Sequence, residues 1–126
     1  MKKLEELNDI INASDADFSE IRVEEKETLS ISILNGEIIS CNRSFSLGSS
    51  IRCLKNGSWG IYTSDGQNQL KKKLNQCGEI AKSSSIYRNA DDKVKLAPVE
   101  PVCDINFIDF KDDFRDISTE HKINTI

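Results

Sequence analysis

Two Asn-Gly pairs, Asn35-Gly36 and Asn56-Gly57, constrain the fold of this chain more than any other feature. A type I′ turn needs positive φ at both central residues, and Asn followed by Gly meets that need at low steric cost. Strand-like sequence flanks each pair. Before the first, Leu29, Ile31 and Ile33 alternate with Thr28, Ser30 and Ser32, and residues 37–42 follow it. Period-two hydrophobicity marks an extended strand with one buried and one wet face. A two-residue turn pairs Ile33 with Ile38 and Ile31 with Ser40. Ile38 and Ile39 are both apolar, which leaves a bulge or burial on both sides open for this strand. Before the second pair, residues 46–55 carry Leu47, Ile51, Cys53 and Leu54; after it, residues 58–62 read Ser-Trp-Gly-Ile-Tyr. That turn sets Leu54 opposite Trp59, Cys53 opposite Gly60 and Ile51 opposite Tyr62. Gly60 inside a strand marks a bend or a close backbone approach. The structural residues of the two hairpins are therefore Asn35, Gly36, Asn56 and Gly57, and successive hairpins predict an antiparallel meander.

An earlier strand is expected over 18–25, where Ile21 and Val23 alternate with Glu20, Arg22 and Glu24. Helices frame the strands. Leu4, Leu7, Ile10 and Ile11 recur at helical spacing within residues 3–13. Ser64 and Gln67 have capping-box spacing, and Leu70, Leu74, Cys77, Ile80 and Ala81 hold one helical face to about residue 83. Lys71, Lys72 and Lys73 on that helix read as a solvated face rather than a patch for an anionic partner. The predicted fold is α+β: a helix, an antiparallel meander of about four to five strands, and a second helix, with both helices on one face of the sheet. After residue 84 the pattern decays. Pro98 and Pro101 bracket a stretch that cannot be regular helix, and residues 118–126 resemble the first turns of another helix. So short a helix is marginal alone, which suggests a piece of a longer protein. The expected organisation is a domain over 1–95, then a linker and the start of the next region over 96–126.

The 126 residues suffice for one domain, with 30% charged and 37% hydrophobic residues as in folded soluble proteins. A net charge of −4 argues against a dedicated nucleic-acid binder, which needs basic surface to offset phosphate. Glu5 and Glu6 fall where a signal peptide needs its apolar run, and no apolar stretch approaches a membrane span. A cytoplasmic protein is expected. The cysteines, Cys41, Cys53, Cys77 and Cys103, lie far apart, and the histidine is His121 alone. Structural zinc sites use closely spaced Cys/His pairs, so reduced, buried thiols are the simpler reading.

The order helix, "ADFSEIRVEEKETLSISILNGEIISCNRSFSLGSSIRCLKNGSWGIYTSD", helix resembles the N-terminal domain of the TldD/PmbA family. The most distinctive stretch runs through Gly48, Ile51-Arg52-Cys53, Lys55-Asn56-Gly57, Trp59-Gly60 and Ser64-Asp65. The likeness covers residues 3–84 and continues more weakly through "STEHKI". The resemblance implies a cytoplasmic zinc metallopeptidase working as paired, related subunits, TldD-like and PmbA-like (TldE), as a homo- or hetero-oligomer. Such a pair degrades small or unfolded peptides, and the family has also been described as a modulator of DNA gyrase. The family's His-Glu-x-x-x-His motif lies beyond its N-terminal domain, and with His121 alone this chain cannot supply it. The resemblance therefore implies no catalytic, cofactor-binding or metal residue here; zinc belongs to the catalytic part of a TldD-like parent. This chain alone is expected to be inactive.

Several residues remain candidates for touching a peptide or a partner subunit. Arg52 faces away from Ile51 and Cys53, and suits a peptide carboxylate, a neighbouring domain or a surface ion pair. Trp59 and Tyr62 are candidates for an aromatic ledge, or for core. Cys53 lacks a nearby base for nucleophilic work, and His121 beside Glu120 reads as surface. The functional expectation is an accessory domain at the subunit interface and substrate channel. The alternative is a stand-alone protein-binding module docking through a sheet edge.

Overall fold

The structure, a computed structural model, describes residues 4–100, 102 and 104–125. The chain divides into two compact units. One holds the described residues through Leu29 together with Arg43–Leu96. The other holds Ser30–Asn42 with the described residues from Ala97 onward.

The elements run α1 (Leu4–Asn12), β1 (Phe18–Leu34), β2 (Glu37–Lys55), β3 (Ser58–Asp65), α2 (Leu70–Ser85), a 3-10 turn (Ala90–Asp92) and α3 (Thr119–Asn124). The fold is α+β, and its sheet has three strands in the order β1-β2-β3. The expectation of four or five strands is corrected here. The segments read separately as 18–25 and 28–34 form one strand, as do 37–42 and 46–55. The stretches between them, Lys26-Glu27 and Arg43-Ser44-Phe45, contain neither Gly nor Pro and stay extended in solvent. Arg43 meets Glu27 at 3.4 Å across this stretch. Polar residues alone do not turn a strand; residues that accept positive φ do.

Asn56 and Gly57 have φ of 52° and 78° and connect β2 to β3. β2 and β3 pair antiparallel with Leu54 opposite Trp59, Cys53 opposite Gly60 and Ile51 opposite Tyr62. These are the pairs that a two-residue connection dictates.

Inward-pointing Ile51 and Cys53 of β2 meet Leu70, Leu74 and Cys77 of α2, all essentially inaccessible. Leu7 and Ile10 of α1, Ala16, Ile21 and Tyr62 ring this core, half-buried. Leu70, Leu74, Cys77 and Ala81 recur every three or four residues, so one stripe of α2 lies down on the sheet. Gly60 permits that approach: a Cβ there would sit 2.2 Å from the Cys77 carbonyl oxygen and 2.9 Å from the Ala81 nitrogen.

The expected helix start at Ser64 is also corrected. Ser64 stays in β3 opposite Ser49, and α2 begins at Leu70 after Gln69 in the left-handed region. The strand pairing and the Ser49–Ser64 hydroxyl contact at 3.0 Å outcompete the local cap. Among the described residues, no helix is long and apolar enough to cross a membrane.

In the other unit, Asn35 and Gly36 have φ of 51° and 81° where β1 gives way to β2. Ile38 and Ile39 are both exposed, so burial on both sides does not account for this pair. The residues after Ala97 run irregularly to α3, where the Ser118 hydroxyl accepts the His121 N–H. Asp113 is ion-paired to Arg115, which holds its carboxyl down at about 2.

Candidate functional site

Strand alternation gives the first unit a covered face and an open one. Register places Gly48, Ser50, Arg52 and Leu54 of β2 beside Asp65, Thr63, Ile61 and Trp59 of β3, on the face opposite Ile51 and Cys53. Phe18, Glu20, Arg22 and Glu24 of β1 join that face.

One end of the open face is aromatic. Phe18 meets Trp59 edge-on, with ring centroids 6.0 Å apart at 86°. The Arg52 guanidinium lies over the Trp59 ring at 4.8 Å, and its Nη2 donates to Glu20 Oε2 at 2.6 Å. Leu54 is buried beneath, whereas Ile61 is 61% exposed. Arg52 is thus oriented from two sides, although half-exposed ion and cation–π pairs of this kind stabilise by only about 0.5 kcal/mol each. A partner carboxylate can therefore compete for the guanidinium at modest cost.

The other end is polar. Arg22, Glu24, Gly48, Ser50, Thr63 and Asp65 line an open depression of about 600 Å³. Beneath it, the Ser49 hydroxyl donates to the Gly66 carbonyl at 2.8 Å, and Lys73 Nζ donates to the Ser64 hydroxyl at 2.7 Å. Arg22 pairs with Glu24 at 3.2 Å.

Of the residues singled out in the sequence, Arg52 and Trp59 come together and Tyr62 does not. Tyr62 lies three residues from Trp59, so alternation sends it to the covered face against the core. Phe18 and Glu20 escaped the sequence reading. Glu20 precedes Arg52 by 32 residues, and no local signal links them. The alternating charges Glu20, Arg22 and Glu24 gave a wet face without its partners.

The thiols of the first unit are structural. Cys53 donates to the Leu74 carbonyl at 3.8 Å and Cys77 to the Ile51 carbonyl at 3.6 Å. Burial pushes the Cys77 thiol up to about 12, where thiolate chemistry is closed. Cys41 is exposed, and Cys103 lies outside the described residues. At the edge of the core, Lys55 donates to Asp15 at 2.6 Å. That hydrogen bond lowers the Asp15 carboxyl and raises the Lys55 ammonium.

Zinc does not fit the described residues. No three His, Cys, Asp or Glu side chains among them come together to hold a metal. A peptidase zinc takes about three protein ligands and an open position for water.

Residues 19–84 match the family described as PmbA/TldA metallopeptidase domain 1. A metalloprotease of Synechocystis sp. is 32% identical over 89 residues, which cover 71% of this chain and 18% of that protein. The chain thus spans a minor part of that relative's length. No solved structure matches it.

Proposed function

This chain belongs to the PmbA/TldD metallopeptidase family, as its first domain, and from that premise we propose that it is a non-catalytic part of a cytoplasmic zinc peptidase. In this reading the intact two-subunit complex cleaves small or unfolded peptides, and the zinc sits in another region of the protein. The domain contributes a wall of the substrate channel and a contact with the related subunit. The observation that supports this is the open face, where Arg52 and Trp59 stand pre-arranged beside a polar depression. Trp59 and Ile61 suit apolar side chains, and Arg52 suits a carboxylate. In this reading the surface binds, and the hydrolytic groups lie in another region of the protein.

The native size of the protein tests the reading. An antibody against residues 19–84 should detect, in extracts of the producing cell, a species several times heavier than 14.2 kDa. A sole species near 14.2 kDa would overturn it in favour of a stand-alone binding module. In the intact protein, Arg52→Glu should weaken subunit association or raise KM for peptides while zinc content stays unchanged.

A further inference from the structure

We infer that Asn35 is a site of spontaneous covalent ageing, converting to aspartate and isoaspartate, and that the chemically identical Asn56 is protected by the fold. The chemistry is intrinsic to Asn-Gly. The Gly36 backbone nitrogen attacks Asn35 Cγ and loses its proton, the side-chain nitrogen leaves as ammonia, and a five-membered succinimide closes. Water then opens the ring at either carbonyl. One water is consumed and one ammonia released, and no other reagent is needed. Glycine favours the reaction because a following side chain would obstruct the attack.

Ring closure requires the peptide between the two residues to rotate out of its turn conformation, so whatever holds the turn sets the rate. Both turns begin alike, with Asn φ of 51° and 52° and Gly φ of 81° and 78°. Their surroundings differ. Nothing lies within 4 Å of where a Gly36 Cβ would be, and Asn35 is exposed. At the second turn, Asn56 N donates to Asp17 Oδ2 at 2.9 Å, and the Gly57 carbonyl accepts Val94 N at 2.9 Å. Gly57 is also packed under Lys93, whose Cβ would stand 2.5 Å from a Cβ at that position. Rotating the second turn must break both hydrogen bonds and displace Lys93. Asp65-Gly66, which forms the same ring more slowly, is also held: the Gly66 N–H that would attack donates to Leu47 O at 2.7 Å.

The product adds a negative charge beside Glu37. Isoaspartate also lengthens the backbone by one atom, which the two-residue turn cannot absorb without losing its conformation. The predicted outcome is a remodelled end of the β1–β2 ribbon carrying a group that isoaspartyl carboxyl methyltransferases recognise.

The test is to incubate the folded chain in mildly alkaline buffer, then digest it with trypsin. Peptides 27–43 and 56–71 report the two sites, and fragmentation assigns the position. Asn35 should convert at least about tenfold faster than Asn56, as expected for breaking two hydrogen bonds before reaction. In urea the two rates should converge, because the unfolded motifs are alike. Equal rates in the folded chain would overturn the proposal, and so would a difference that persists in urea, since that would place the cause in local sequence. Gly36→Ala should suppress the conversion at position 35 and leave position 56 unchanged.

Discussion

The two ends of β2 follow similar strand chemistry and meet different fates. From Gly48 to Lys55, Ile51 and Cys53 are 1% and 0% exposed. From Glu37 to Asn42, Ile38 and Ile39 are 49% and 61% exposed. Both ends read as β-strand because β-branched residues are interleaved with polar ones. Only the first end lies beneath a helix with a matching stripe, Leu70, Leu74, Cys77 and Ala81. Alternation therefore specifies an extended strand, whereas burial is specified by the element that covers it. The covered end carries the stability of the first unit, and the exposed end is open to modification.

Leu74→Ala should cut hardest, at about 2–5 kcal/mol, because it opens a cavity among essentially inaccessible neighbours. Ile38→Ala should stay within about 0.5 kcal/mol. Urea denaturation of both variants measures the contrast, and similar losses would break the comparison. Gly60→Ala comes next, at about 1–3 kcal/mol for overpacking, since the methyl meets the α2 backbone rather than a yielding side chain. Its signature is a shift of α2 amide signals in NMR spectra; unchanged α2 signals would mean that the helix does not need this close approach.

On the open face, Arg52→Ala should cost no more than about 1 kcal/mol, because its partners are half-exposed. A loss comparable to Leu74→Ala would make this face a second core instead of a recognition surface. The smallest effect belongs to Asp15 and Lys55. Asp15 is lowered from its ordinary value of 3.8 by the Lys55 hydrogen bond. Its contribution is therefore present above that value and is lost as pH falls through the depressed one. Lys55 is raised from 10.5, so its share is present below that value and disappears as pH rises through the raised one. With the Asp15 side chain 84% exposed, solvent screens the pair heavily. The stability gap between the wild type and Asp15→Asn should be flat near neutrality and shrink below about pH 4. A gap that widens in acid would contradict this assignment.

The legible parts of the fold were those with a local cause. A two-residue connection leaves one register for its flanking strands, so Leu54–Trp59, Cys53–Gly60 and Ile51–Tyr62 could be read directly from the chain. The α2 stripe followed from its period except at Ile80, which is 43% exposed. What could not be read locally had a distant cause. Residues 26–27 and 43–45 fell between the strands read from the sequence, yet both stretches stay extended within β1 and β2. Ser64 looked like a helix cap until its strand partner Ser49 claimed it. At the candidate site, the outward direction of Arg52 was evident from alternation, whereas its anchoring by Glu20 required the folded sheet.

The central claim is that this domain supports a metallopeptidase without performing its chemistry. The most direct test is to purify the 126-residue chain, supply equimolar zinc, and measure bound metal together with hydrolysis of a fluorogenic peptide. The account predicts no stoichiometric zinc and no cleavage above background. One tightly held zinc per chain, with peptide cleavage abolished by a chelator, would contradict it.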